Sequence, residues 1–562
     1  MKQTSGRKIW VSLGMVLLLF AAFGILGYTG IAGQANAAKA EPKYGGTIVA
    51  GTYLISYDPK GFDPGMANYN VDHFTSFFAE KLMSGDWHKG PMGTNEYTFM
   101  ETEWFPPNAL KGCLAESWEW TDPLTLVFKL RKGIKFQNKP PVNGREFTAD
   151  DVTYCWNRLL ASPRVAKKRF EALKSVSKVD KYTVAFKLNS FVGEWRYMFG
   201  YGAYNALYPR EMVEAGVEDW KNACGTGPYM VHDYIRGNSV TYIKNPDYWD
   251  TVTLSGKKYK LPFADKIVLP IIRDASTRLA ALRSGKIDIL YSVRWGDVES
   301  LQKSNPNLQK KGSIVPDNMH AFFEMDREPF TDIRIRKAMN MAIDGDAIGK
   351  SLYGGKYTRL CYPFMAWWDE YVPVEKLPPN VRENFTYNPE KAKKLLAEAG
   401  YPKGFSTQMV YPSSYDDLAQ LFVAYWSQIG VEVKLRSVEP NQIYGIMASK
   451  KFEGLIGVPD GGSGPLVALR KMTPGEFWNA GDINDAELLK RYRAARGERD
   501  WKKTQDLLRD AYVYSLSIVP RVSGPNPIVY NYWQPWIGGF HGENMTGFFS
   551  PGPVITRIWK TK

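Results

Sequence analysis

Side chains able to do chemistry are plentiful in this 562-residue chain, yet their spacing is not that of a catalyst. It carries 58 Asp and Glu, five His and four Cys, so many carboxylates that a close acidic pair means little. There is no G-x-S-x-G nucleophile elbow, no H-E-x-x-H and no G-x-x-x-x-G-K-[ST], which leaves the hydrolase, zincin and P-loop readings without their defining spacings. No two His stand four residues apart and no two Cys form C-x-x-C, so no metal or redox centre is indicated. The glycine cluster GTGPY, 225–229, fails as a phosphate cradle. No Lys-Ser/Thr follows it, and Pro228 with a strand-like stretch replaces the helix whose N-terminus would hold the phosphate. It reads as a backbone corner, and the chain as a non-enzyme needing no cofactor.

The elements that must position any functional side chain are partly legible. At roughly 150 residues per domain the length calls for about three domains. A composition of 44% hydrophobic and 23% charged residues is that of a globular protein, and 33 Tyr and 18 Trp supply flat amphipathic surface. Residues 1–37 read as a secretory signal: Lys2, Arg7 and Lys8 precede an apolar run from Ile9 to about Ala32, then Ala35-Asn36-Ala37 as a small-residue cleavage site. The run is long enough to span a bilayer, so an uncleaved anchor is the alternative. Removing the segment lowers the formal charge from +14 to +11. The basic residues are interleaved with acids, as in KNPDYWD, and no nucleic-acid module is present. After export, Cys113, Cys155, Cys224 and Cys361 would meet an oxidising compartment, and their three pairings stay open.

Helices and strands alternate. LTLVFKLRKGIKF (124–136) predicts a strand turning at Gly133. In FTADDVTYCWNRLL, Thr148 caps a helix with Asp151 three residues on, and Val152, Cys155, Trp156 and Leu159 form its apolar face. A second helix places Ile335, Ala338, Met339, Ala342 and Ile343 on one face, and a third starts at Asn388-Pro389 and stops at Gly400. SIVPRV and PIVYNYW predict strands near the end. The class is α/β, without repeats.

Seven stretches, in order, resemble the extracellular solute-binding proteins of ABC importers, in the peptide/nickel-binding family 5. They are LAESWEW (114–120), FKLRKGIKF (128–136), FTADDVTYCWNR (147–158), GTGPYMVHDYIRGNSVTYIKNPDYW (225–249), LAALRSGKIDI (279–289), PFTDIRIRKAMNMAID (329–344) and NPEKAKKLLAEAGYPKGF (388–405). The resemblance implies a two-lobed, type II periplasmic-binding-protein-like fold of the large, cluster C kind. Lobe 1 would comprise 38–84, 206–320 and 528–562, an extra subdomain 85–205, and lobe 2 321–527. It implies a monomer that closes on a small-molecule or peptide ligand, binds no nucleic acid, and meets an ABC permease in the inner membrane from the periplasm. A non-peptide solute such as an oligosaccharide or metal chelate, or a membrane-tethered sensor of the same fold, is the alternative.

Site residues follow from the same resemblance. Peptide-binding relatives hold the ligand amine with an Asp in a glycine-rich loop, which here is GLIGVPDGGSGPL (454–466). Asp460 is its one acid, but it falls one place early, with Gly461 at the family position. The Arg that dipeptide binders place before the following helix has no counterpart in QMVYPSSYDD, which argues against a dipeptide clamped at both ends. Tyr69, Trp368, Tyr411 and Tyr415 lie in segments resembling cleft-lining loops.

Overall fold

A computed structural model describes residues 41–561 apart from 53, 67, 102, 164–166, 315–317, 360–361, 462–463, 546 and 548, and apart from the side chains of 69, 167 and 168. The signal segment 1–37 and Cys361 therefore lie outside the described residues.

Three sheets organise the chain. The first runs in the order Gln309–Ile314, Asn526–Trp533, Ile289–Arg294, Thr47–Gly51, Lys266–Pro270, Ser239–Lys244, Tyr229–Ile235, with the short strand Tyr357–Thr358 also on Asn526–Trp533. Thr47–Gly51 lies parallel to both its neighbours, and the outer pairings are antiparallel. The second sheet runs Val431–Val438, Phe405–Pro412, Leu455–Asp460, Asn318–Phe323, Arg521–Ser523. The third is an antiparallel sheet in the order Ala115–Asp122, Thr125–Leu130, Thr183–Leu188, Leu173–Asp180. The two mixed sheets frame a first and a second lobe.

The chain leaves the first sheet at Ile314 and enters the second at Asn318; it leaves the second at Ser523 and re-enters the first at Asn526. At these passages His320 pairs in register with Ser523, and its Nδ1 lies 2.8 Å from Ser523 Oγ. Burial, with the cations nearby, drives the His320 imidazole down to about 3, so it is neutral at physiological pH.

Local sequence accounts for much of this. The helix Ala149–Ala161 starts with the Thr148/Asp151 capping box, and Val152, Cys155, Trp156 and Leu159 are all buried. Trp156 meets Phe186 of the four-stranded sheet edge-on at 5.2 Å. Helix Ile333–Met341 buries Ile335, Ala338 and Met339. Helix Pro389–Glu398 is capped by Asn388, whose side chain accepts from the Lys391 amide, and Gly400 takes the left-handed φ of 93° that ends it. The corner at Gly225 and Gly227 is set by close approach: a Cβ on Gly225 would lie 2.0 Å from the Phe78 carbonyl oxygen.

Two expectations are corrected. Strand Thr125–Leu130 forms its hairpin with Ala115–Asp122, through the tight turn before Thr125, and not across Gly133. In SIVPRV, Ser517 ends the long helix Trp501–Ser517, and only Arg521–Ser523 is strand. The apolar run carries no alternation able to separate a helix end from a short strand. Among the described cysteines, Cys113, Cys155 and Cys224 are not disulfide-bonded.

Candidate functional site

The lobes meet along a seam. The Gly193 amide donates to the Arg496 carbonyl at 2.7 Å, and Arg496 Nε donates to Glu194 Oε1 at 3.1 Å. Trp368 Nε1 donates to Glu101 Oε2 at 3.0 Å. Beside these contacts lies a cavity of about 410 Å³ whose walls come from both lobes. Trp104, Phe105, Tyr197 and Tyr201 belong to the first-lobe side, and Leu466 and Trp501 to the second.

Each wall residue has a local reason for its position. Tyr197 and Tyr201 sit on a π-helical turn, Arg196–Tyr201, a local irregularity that recurs at functional sites. The Tyr201 hydroxyl accepts from the Phe105 amide at 3.0 Å and donates to the Phe105 carbonyl at 3.1 Å, pinning the segment that carries Trp104. Trp104 packs on Gly464, where a Cβ would come within 2.5 Å of the indole and where φ is 104°. Trp501 opens a helix capped by Asp500, 6.3 Å from Trp104 by ring centroids.

Charge at the seam is unevenly compensated. Glu194 Oε2 is buried and meets no hydrogen-bond partner among the described residues. Arg196 lies over the Trp195 ring at 4.4 Å, and burial lowers its pKa. Glu101 is buried and accepts from Trp368 and, at 3.2 Å, from the Tyr97 hydroxyl. Burial pushes its carboxyl up to about 8, against the pull of these hydrogen bonds.

The residues expected from the sequence are scattered. Asp460 ends the strand Leu455–Asp460 and is buried, and Gly461 follows it. Its Oδ1 lies 2.9 Å from Lys471 Nζ and its Oδ2 3.8 Å from Arg521. Burial, the largest influence, raises its pKa, but Lys471 and Arg521 prevail and hold it below the usual carboxylate value. The Gly461 carbonyl accepts from Lys471 at 2.7 Å and from the Tyr362 hydroxyl at 3.3 Å. Trp368 is buried at the seam. Tyr411 is buried in the second-lobe core, and Tyr415 is half-buried against it. Tyr69 begins the helix Tyr69–Thr75, and its side chain lies outside the described residues. None of the five whose side chains are described lines the interlobe cavity. For the aromatics that do line it, the one sequence signal is the i, i+4 spacing of Tyr197 and Tyr201.

Among the described residues no group of three or more His, Cys, Asp or Glu could hold a metal ion, and no helix is long and apolar enough to cross a membrane. The family model of the bacterial extracellular solute-binding proteins, family 5 Middle, matches residues 109–465. The chain belongs to this family. Heme-binding protein A of Haemophilus influenzae is 33% identical over 359 residues, covering 58% of this chain and 61% of that protein. The dipeptide-binding protein of Escherichia coli is 28% identical over 358 residues, covering 58% of this chain and 63% of that protein. The chain thus spans somewhat less than two thirds of the length of these two relatives. The solved structure of HbpA2 from Haemophilus parasuis superimposes with a TM-score of 0.73 over 92% of this chain and 100% of that one, at 22% identity, and shows the fold shared.

Proposed function

We propose that this protein is the substrate-binding component of an ABC importer, working in the periplasm as a monomer that carries out no chemistry. It captures a solute between its lobes and presents the closed form to a membrane permease. Family membership supports the class of function. The observation that carries the mode of binding is the interlobe cavity walled by Trp104, Phe105, Tyr197, Tyr201 and Trp501. A ligand that contacts both walls binds the closed state better than the open one, which is the condition for occupancy to drive closure. On this reading the chain crosses between the lobes where it leaves the first sheet at Ile314 to enter the second at Asn318 and where it returns from Ser523 to Asn526, with 85–205 as the extra subdomain and most of 321–527 as the second lobe.

The solute is small, organic and partly aromatic or apolar, in preference to an oligopeptide. Asp460 is already neutralised by Lys471 and Arg521, so it is not waiting for a ligand amine. Relatives named for heme and dipeptides bracket the size range to be searched. Thermal-shift screening of dipeptides, longer peptides, oligosaccharides, heme and small aromatic acids and amines is the test, because a ligand specific to the native state raises its melting temperature. A hit that makes the scattering radius of gyration fall on binding supports the reading. Hits that leave the radius unchanged, or turnover of a hit into product, would overturn it.

A further inference from the structure

A second, larger cavity of about 710 Å³ lies entirely within the first-lobe side of the protein. Its walls come from 76–113, 201–250 and 547–557, with no residue from the second-lobe sheet. Phe105 and Tyr201 line both this cavity and the interlobe one, so the two stand back to back across a pair of rings.

The polar groups around it are unevenly employed. Its acceptors are engaged: Glu80 receives the Tyr248 hydroxyl at 2.9 Å, Trp249 Nε1 at 3.0 Å and Cys113 Sγ at 3.5 Å. Asp250 receives Arg557 at 3.0 Å and the Thr251 amide at 2.8 Å. Its donors are not all engaged. Trp87 Nε1 and Arg557 Nε are buried and meet no acceptor among the described residues, and both side chains are more than nine-tenths buried. Lys81 is committed to two backbone carbonyls, Gly202 at 2.9 Å and Gly547 at 3.0 Å. Lys111, half-buried on the short strand Leu110–Gly112, also lines the wall; burial and then Arg557 lower its pKa, against the opposing pull of Asp250. Spare capacity in the cavity is therefore donating and cationic, while Trp87, Trp249, Phe105 and Tyr201 offer flat apolar faces.

We propose that this first-lobe cavity is a binding site for a small organic anion, a carboxylate carried on an aromatic body, with Lys111 and the Trp87 N–H meeting the carboxylate. A carboxylate there would give the half-buried Lys111 ammonium a close counter-charge and the buried Trp87 N–H its missing acceptor, and an unmet buried donor is costly in a low-dielectric site. The site is independent of the interlobe reading and would stand if that reading failed.

Titration calorimetry with indole-3-acetate, and with tryptamine as the cationic counterpart of the same ring, tests it on the exported full-length protein. Saturable binding of indole-3-acetate is expected, weakened about tenfold or more by Lys111→Met and less by Trp87→Phe, as for loss of a charge-assisted hydrogen bond against a neutral one. Tryptamine should give no saturable heat. A crystal soaked in indole-3-acetate gives a readout that does not depend on either variant folding, and density between Lys111 and Trp87 is expected. Absence of saturable heat at millimolar indole-3-acetate, equal affinity for tryptamine, or density between the lobes with Lys111→Met binding as the parent, would each overturn the proposal.

Discussion

Lys471 Nζ lies 2.9 Å from Asp460 Oδ1, and Arg521 approaches the other carboxylate oxygen to 3.8 Å, all three side chains being nearly inaccessible to water. Two buried cations thus share one buried anion. The Arg521 guanidinium also lies 4.1 Å over the Tyr362 ring, which takes up part of its charge. Asp460→Asn removes the anion and leaves both cations, so a loss of about 3–5 kcal/mol in unfolding free energy is expected, as for other broken buried pairs. Urea denaturation measures it. A change below about 1 kcal/mol would mean that the trio is not held together as described. The sign with pH follows from the lowered folded pKa of Asp460: its contribution is present above the unfolded value of about 3.9 and is lost as pH falls through the folded one.

Glu101 behaves oppositely. Its carboxyl, raised by burial to about 8, holds its proton in the folded state where the unfolded chain has lost it. Folded protein binds more protons than unfolded between about pH 4.3 and that value, so stability falls as pH rises across the interval, on the order of 1.4 kcal/mol per unit at the steepest. Glu80 and Asp72 are raised as well, to about 7 and about 6, so the wild-type profile is a sum. Glu101→Gln isolates the one group. Relative to wild type the variant should gain stability steadily from pH 5 to pH 8, and parallel profiles would show that Glu101 is ionised in the seam.

The fold is legible in the sequence and the interlobe cavity is not, for identifiable reasons. The capping box at Thr148 and Asp151 and the face Ile335, Ala338, Met339 are local signals, set by periodicity and end chemistry, and the structure returns them. Trp104 and Trp501 are separated by nearly 400 positions in the chain and meet only because two lobes fold back on each other, a relation no local pattern encodes. Asp460 shows the converse. As the one acid in its loop it stands out in the sequence, but its partners Lys471 and Arg521 come from a later helix boundary and a strand after the helix Trp501–Ser517. Those partners turn a prospective ligand anchor into an internal ion pair.

Gly464 tests the seam through the backbone. A methyl group there would approach Trp104 to 2.5 Å, on a residue with φ of 104°. Gly464→Ala should cost about 1–3 kcal/mol from strain and displaced packing together. Gly445, within the helix Gln442–Ser449 with open space around it, is the matched control. Gly445→Ala should be stabilising by up to about 1 kcal/mol. Equal effects of the two substitutions in chemical denaturation would show that Trp104 does not rest on Gly464 in solution.

The sharpest distinction between the sequence-based site and the structural one lies in Trp104 and Tyr411. Both are aromatic, but only Tyr411 lies in a segment resembling a cleft loop. Trp104 lines the interlobe cavity, whereas Tyr411 is buried in the second-lobe core, its hydroxyl raised in pKa by burial and by its hydrogen bond to Asp416. For whichever solute the thermal-shift screen returns, Trp104→Ala should weaken binding by at least about tenfold, as expected for loss of an aromatic wall in a water-excluding pocket. Tyr411→Phe should leave the affinity within about twofold and lower the melting temperature instead, because it removes the hydrogen bond to Asp416 without opening a cavity. Calorimetry on the two variants separates the outcomes. Affinity that falls with Tyr411→Phe and survives Trp104→Ala would move the binding site to the end of the strand Phe405–Pro412, where the sequence resemblance put it.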